Sequence, residues 1–307
     1  MSWHDCPKAR AAADNAAAID TVIIPRSRDI GGFEVRRALP ARERRMIGPF
    51  VFLDQMGRNQ FAPGAGLDVR PHPHIGLATV TYLFSGEILH RDSLGTVQTI
   101  RPGELNWMNA GRGIVHSERT PVELRERGSE LFGMQAWVAL PQSQEESAPT
   151  FVHHGSEALP VIDDSGLRLR LIAGAASGAQ SPVQTASETL YAEAQLAAGA
   201  LWPVDATHEE LGLYVAAGEV QIEQQCYAAG QLIVLRPDAA VTVSAISASR
   251  VMLLGGDSID GRRHLWWNFV SSSKERIEQA KADWRAGRFD RVIDEEEWIP
   301  LPDLPGP

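Results

Sequence analysis

The chain has little that would give it away. It carries two cysteines in 307 residues, Cys6 and Cys226, far apart in sequence. That excludes a disulfide framework and a thiolate metal cage, and makes a reducing cytosol the simpler expectation. No apolar run approaches the roughly 20 residues needed to span a bilayer. The polar start, Met1 to Pro7, followed by alanines broken by Arg10, Asp14 and Asn15, lacks the pattern of a signal peptide. No Lys/Arg block stands out, and 29 basic against 39 acidic residues leave a net charge of −10. Such a chain gains nothing from phosphate counterion release, which argues against direct nucleic-acid binding. The small-residue loop holding Gly174 and Gly178 has no following Lys-Ser/Thr pair, so there is no P-loop. Gly111-Arg112-Gly113 does not open a helix and reads as a turn. Strands do not alternate with helices, so a parallel α/β sheet is not expected. The reading is a cytoplasmic protein with no membrane segment.

What is present is an all-β pattern. Thr21–Ile24, Phe33–Leu39, Phe50–Asp54, Leu77–Phe84, Ile88–His90, Thr96–Ile100, Leu105–Met108 and Phe132–Leu140 read as short strands, divided by Gly or Pro. Residues 56–70 read as a loop and 1–20 as a loose leader. Pro141 to Pro149, polar and acidic, is the linker candidate, with a boundary between 145 and 160. Strand-like runs resume at Leu167–Ile172, Thr189–Leu196, Leu211–Ala216 and Val241–Ile246, and Trp266–Val270 reads as one more strand. Ser271 to Ser273 then open a helix whose Ile277, Ala280 and Trp284 share a face and which ends before Gly287.

A weak repeat links the halves. Tyr82-Leu83-Phe84-Ser85-Gly86-Glu87-Ile88 matches Tyr214-Val215-Ala216-Ala217-Gly218-Glu219-Val220, and Gly103-Glu104-Leu105 matches Gly230-Gln231-Leu232. Two matches in the same order favour a duplicated barrel.

The chemistry gathers at residues 72–118. His72-Pro73-His74 at one end and His116-Ser117-Glu118 at the other each place two potential ligands two residues apart. On a strand, such pairs share a face. Three imidazoles and one carboxylate suit a divalent transition metal and leave positions open on an ion that prefers six ligands. The bland alternative is a solvated His-Pro-His loop; Pro73 supplies no N–H, so an edge or barrel-mouth position is expected. Shifting His72 and His74 by 132 gives Val204 and Ala206, and shifting His116 and Glu118 by 127 gives Val243 and Ala245. No ligand type survives, so the second barrel is expected to hold no metal there.

The other histidines read as ordinary. His90 follows a strand-like run with no partner two residues away, so it reads as a surface or core histidine. His153 and His154 read as linker residues, His208 as a loop residue, and His4 and His264 have no constellation. Trp107, Met108 and Phe84 could line a pocket, but core packing is the commoner use of such residues.

His72 to Gly86, Pro102-Gly103, Ala110 to Glu118, Arg36-Arg37 and Gly48 to Asp54 together resemble the pirin family. The resemblance is specific over about residues 30–140 and architectural beyond. It implies an all-β fold of two tandem cupin barrels with a short C-terminal helix. The N-terminal metal-binding barrel would span 1–150; the second, without a metal site but with the helix and tail, would span 151–307. It implies that His72, His74, His116 and Glu118 ligate one divalent transition metal per chain. Fe(II) is foremost, with nickel, cobalt, manganese, copper or zinc open. It implies a quercetin 2,3-dioxygenase-like activity on a small aromatic, flavonol-like substrate with dioxygen, Glu118 accepting the proton of the 3-hydroxyl. The alternative is a non-catalytic, metal-dependent regulatory module that reads a protein partner. A purely structural metal site ranks last, because structural zinc sites are closed and often cysteine-rich. Ile75 and Ala78 stand where many pirins carry arginine and glutamate, which predicts a more apolar site.

Overall fold

The computed structural model describes residues 18–29, 33–204 and 207–303. The chain is mostly strand, and it forms two cupin barrels, each built from one seven-stranded and one four-stranded antiparallel sheet. The first barrel's large sheet runs, in spatial order, β12 (Thr150–His154), β9 (Leu105–Asn109), β6 (Leu77–Ser85), β11 (Ser129–Ala139), β4 (Phe50–Phe61), β3 (Glu34–Leu39) and β2 (Arg26–Asp29). Its small sheet runs β5 (Asp68–His74), β10 (Ile114–Arg119), β7 (Ile88–Asp92) and β8 (Val97–Ile100).

The second barrel repeats this order strand for strand. Its large sheet is β1 (Ile19–Ile23), β22 (Leu232–Leu235), β19 (Glu210–Ala217), β24 (Ser249–Gly256), β17 (Thr189–Leu196), β14 (Leu167–Ala173) and β13 (Val161–Asp164). Its small sheet is β18 (Leu201–Val204), β23 (Val241–Ala245), β20 (Glu219–Ile222) and β21 (Gln225–Ala228). A two-residue-strand hairpin, β15 (Ala175–Ala176) with β16 (Ala179–Gln180), lies between β14 and β17 in sequence.

The expected single cut near residue 150 differs from how the chain is shared out. One compact unit gathers the described residues up to Arg26, Ala38–Phe50 and Glu157–Ser258; the other gathers Ser27–Arg37, Val51–Ser156 and the described residues from Ile259. Edge pairing explains the exchange. β22 is completed by β1, the earliest described strand, just as β9 is completed by β12. His153 and His154 are therefore sheet residues on β12 rather than linker residues, and His153 Nδ1 lies 2.8 Å from Asn106 Oδ1.

The C-terminal segment belongs with the metal-candidate barrel, not with the second barrel as expected. The predicted strand at Trp266–Val270 is a hairpin, β25 (His264–Trp266) and β26 (Phe269–Ser271), turning at Trp267-Asn268. It leads into α2 (Lys274–Arg285), capped by the Ser273 hydroxyl, which accepts from the Arg276 amide at 3.2 Å. Ile277 and Ala280 pack with Ile75, Trp266 and Phe269. Glu145, inside the predicted linker, is buried and takes hydrogen bonds from Ser271 and Ser272 and an ion pair from Arg263 at 2.8 Å. The predicted 56–70 loop shrinks to a connection between Phe61 and Asp68, because β4 runs on for 12 residues. A six-residue helix, α1 (Val122–Arg127), joins β10 to β11.

The pairing also corrects the register of the repeat. His72 faces His116 across β5–β10, and Val204 faces Val241 across β18–β23. Glu118 faces His90, and Val243 faces Ile222. His116 and Glu118 thus correspond to Val241 and Val243, two residues before the positions reached by the offset of 127. Val204, Ile222, Val241 and Val243 are all core residues of the second barrel. Ala206 lies outside the described residues, as do His4, Cys6 and most of the expected leader. Cys226 lies on β21.

Candidate metal centre and cavity

β5 is the edge strand of its sheet, which is where a chain with Pro71 and Pro73 can pair on one side without losing ladder bonds. Its register with β10 sets His116 opposite His72, and the strand period brings His74 round to the same face. The ligand-capable atoms of His72, His74 and His116 all lie within 4.8 Å of one another, and all three residues are buried.

Burial costs the charged form, so His72 is pushed down to about 4 and His74 and His116 well below the usual histidine range. Neutral imidazole is the form that ligates a metal. Two tautomers follow from the partners. A carbonyl oxygen only accepts, so His72 donates from Nδ1 to the Arg70 carbonyl (2.9 Å) and His74 donates from Nδ1 to the Asn268 carbonyl (3.2 Å). Both rings are thereby left with an unprotonated Nε2. Nε2 of His74 faces Nε2 of His116 at 3.1 Å. Imidazole nitrogens gathered within 4.8 Å of one another are a donor set that suits a divalent transition ion. The residues present fit a shared divalent cation.

Glu118 is placed differently from the three imidazoles. It stands outside the 4.8 Å group. β5 carries one extra residue between the partners of His116 and Glu118, so Glu118 lies opposite Val69 rather than in step with the histidines. Its carboxyl faces the same cavity and lies 3.3 Å from the Thr81 hydroxyl, which is 2.8 Å from Gln135 Oε1. Burial raises its pKa above the usual carboxylate range.

The cluster opens on a cavity of about 960 Å3. Phe52 and Trp137 form one wall, stacked at 3.9 Å, and Trp137 meets His74 edge-on at 5.2 Å. Arg37 lies over Phe52 at 4.4 Å and holds Asp54 with two hydrogen bonds of 2.9 and 2.8 Å. Trp267 and Asn268 bring the hairpin turn to the cavity. Trp267 has φ +51°, a conformation bulky residues rarely adopt. Glu297 and Ile299 add the tail, tied down by Arg119, which contacts Glu295 (2.6 Å) and Glu297 (2.8 Å), and by the Ile299 amide on the Pro71 carbonyl.

Several expectations about the surroundings change. Ile75 packs under α2 and Ala78 lies in the large sheet; neither lines the cavity, so their apolar character does not set its polarity. Trp107, Met108 and Phe84 do not line it either; Trp107 and Met108 are buried in the core, and Phe84 is half-buried against Tyr82 and Phe132. His90 does have a partner two residues on: its Nε2 lies 3.0 Å from Asp92 Oδ2, and its Nδ1 lies 3.4 Å from His116 Nδ1. His90-x-Asp92 has the same spacing as His72-x-His74, and that was the signal available in the sequence. Trp137, Gln135 and Trp267 carried no comparable mark.

Residues 32–138 match the pirin family, and residues 191–290 match the pirin C-terminal cupin domain. A pirin-like protein of Caulobacter vibrioides is 51% identical over 93% of this chain and 100% of its own length. This chain belongs to the pirin family. Among solved structures, an Acinetobacter baumannii quercetin 2,3-dioxygenase aligns with TM-score 0.87 at 32% identity, covering 93% of this pirin and 95% of that chain. A further Acinetobacter baumannii quercetin 2,3-dioxygenase aligns with TM-score 0.83 at 26% identity, covering 88% and 97%.

Proposed function

We propose that this pirin is a metal-dependent dioxygenase that cleaves flavonols such as quercetin, with His72, His74, His116 and Glu118 holding one divalent transition ion, Fe(II) foremost. The observation that carries the reading is a cluster of three buried imidazoles, two of which, His72 and His74, line a cavity of about 960 Å3 together with the buried Glu118 carboxyl. Pockets for small molecules run about 300–1,000 Å3, so a three-ring phenolic has room. The likeness to quercetin 2,3-dioxygenases supports the substrate class. A bound ion would supply Lewis acidity toward substrate oxygens and the electronic means to use dioxygen.

The chain's own groups supply the rest. Trp137 and Trp267 offer apolar surface beside which an aromatic ring system can lie, and the Phe52–Trp137 wall excludes water. Glu118 Oε1 accepts the proton of the flavonol 3-hydroxyl; its raised pKa brings it closer to that of a phenol, which eases the transfer. Thr81 steadies the carboxyl from the side away from solvent. A cytoplasmic location is part of the proposal. Among the described residues no helix is long and apolar enough to cross a membrane.

The test is dioxygen uptake with quercetin on protein stripped and reloaded in turn with iron, cobalt, nickel, manganese and copper. Turnover with at least one metal, lost in Glu118→Ala, is the expected result. No uptake with any metal, in protein holding one ion per chain, would replace this reading with the non-catalytic, partner-binding module.

A further inference from the structure

We infer that Asp92 and His90 are positioning residues for His116: Asp92 holds the His90 proton on Nε2, so His90 Nδ1 accepts the His116 Nδ1 proton and His116 Nε2 is left bare toward the cluster. The inference rests on the metal-site part of the function proposed above and not on the substrate.

Asp92 is fully buried at the end of β7. Its Oδ1 accepts the amides of Leu94 (2.9 Å) and Thr96 (3.0 Å), and its Oδ2 faces His90 Nε2 at 3.0 Å. A carboxylate only accepts, so the His90 proton sits on Nε2. Phe151 stacks on the His90 ring at 4.5 Å and fixes its plane. In the single-proton form of His90, Nδ1 is then a lone pair facing His116 Nδ1, 3.4 Å away. The contact is long, as contacts that tighten on loading often are.

Counting protons along this row shows what is missing. It runs from the Asn268 carbonyl through His74, His116 and His90 to the Asp92 carboxylate. Both ends are acceptors, so His74 and His90 direct their single protons outward. His116 has one proton for two bare neighbours, His74 Nε2 and His90 Nδ1. His74 and His116 would hold a bound cation through their two Nε2 lone pairs. The His116 proton then settles on Nδ1, and every contact is satisfied. Metal-bound histidines commonly donate their second nitrogen to a carboxylate or carbonyl; here the carboxylate acts through an intervening imidazole.

Asp92→Asn reverses the row without emptying it. The turn still needs an acceptor at Oδ1 for the two amides, so the new NH2 takes the place of Oδ2 and donates to His90 Nε2. His90 must then carry its proton on Nδ1 and donate to His116 Nδ1. The His116 proton moves to Nε2, pointing at His74 Nε2. The row is now complete with no ion, and a proton occupies the direction the ion needs.

The experiment is Co(II) titration of metal-free protein against a competing chelator, followed by visible absorption, with thermal melting of the metal-free protein alongside. Asp92→Asn is expected to lower Co(II) affinity by about 10–100-fold while the metal-free protein melts at or above the wild-type temperature. His90→Gln, which can still accept and donate, is expected to bind Co(II) more tightly than His90→Leu. Co(II) affinity of Asp92→Asn within twofold of wild type would overturn the inference. So would a fall in affinity matched by a fall in metal-free melting temperature, which is what a merely structural aspartate would give. Because neither readout is turnover, an absence of flavonol cleavage would sink the dioxygenase reading and leave this one standing.

Discussion

The two barrels share eleven strands in the same order, yet their small sheets are lined in opposite ways. In the first, the facing positions on β5, β10 and β7 hold His72, His116, Glu118 and His90. In the second, the matching positions hold Val204, Val241, Val243 and Ile222, all inside one aliphatic cluster. The barrel therefore closes without polar ligands. The aliphatic set buries area and satisfies itself. The histidine set must satisfy buried nitrogens one by one, and it recruits the Arg70 and Asn268 carbonyls and the Asp92 carboxylate to do so. Polar lining in the first barrel is a functional cost, not a requirement of the fold.

The comparison can be broken most severely at the ligands. His116→Ala should cut metal affinity and quercetin-dependent dioxygen uptake by about a hundredfold or more; metal content and an oxygen electrode check both. Exchanging the linings comes next. Val243→Glu puts an unpaired carboxyl into the second core and should destabilise by about 3–5 kcal/mol in denaturant melts. Glu118→Val relieves a desolvated carboxyl, so the metal-free protein should keep or gain stability while uptake is lost.

Acid should separate the barrels by a smaller amount. His72 has its folded pKa pushed below the unfolded value, to about 4. Its contribution is present above pH 6.5 and is lost as pH falls from 6.5 through about 4, because the unfolded chain takes up the proton first. For His72 alone that is about 3–4 kcal/mol, at about 1.4 kcal/mol per pKa unit. His74 and His116 act in the same direction. The metal-free protein should show this loss, and a variant with valine at all three positions should show much less. The smallest effect concerns α2, which packs on the first barrel and has no counterpart in the second among the described residues. Ser273→Ala should cost about 1 kcal/mol, read as a modest drop in melting temperature.

The strands of the site were legible because their chemistry obeys the strand period. His72-x-His74 and His116-x-Glu118 declare a common face through spacing alone, and the Tyr82 and Tyr214 repeat declared the duplication. The register of that repeat was read two residues too far, since loop lengths between β20 and β23 need not equal those between β7 and β10. β4 was read too short because Gly57 and Asn59 look like loop residues, yet strand pairing holds them extended. The role of His90 is not marked by a second histidine, because its partner two residues on is an aspartate. The cavity walls were invisible, since Trp137, Gln135 and Trp267 come from separate segments with no shared period.

By itself the sequence determined the all-β class, the duplication and the three histidines that meet, because these follow from periodicity two and from residue type. The tertiary structure alone decided which edge β1 and β12 complete, where the C-terminal hairpin and helix pack, and which groups set the tautomers of the cluster. Those depend on contacts between residues as far apart as His74 and Asn268. No local pattern encodes such contacts, because they arise only when buried polar atoms must find partners in the folded chain.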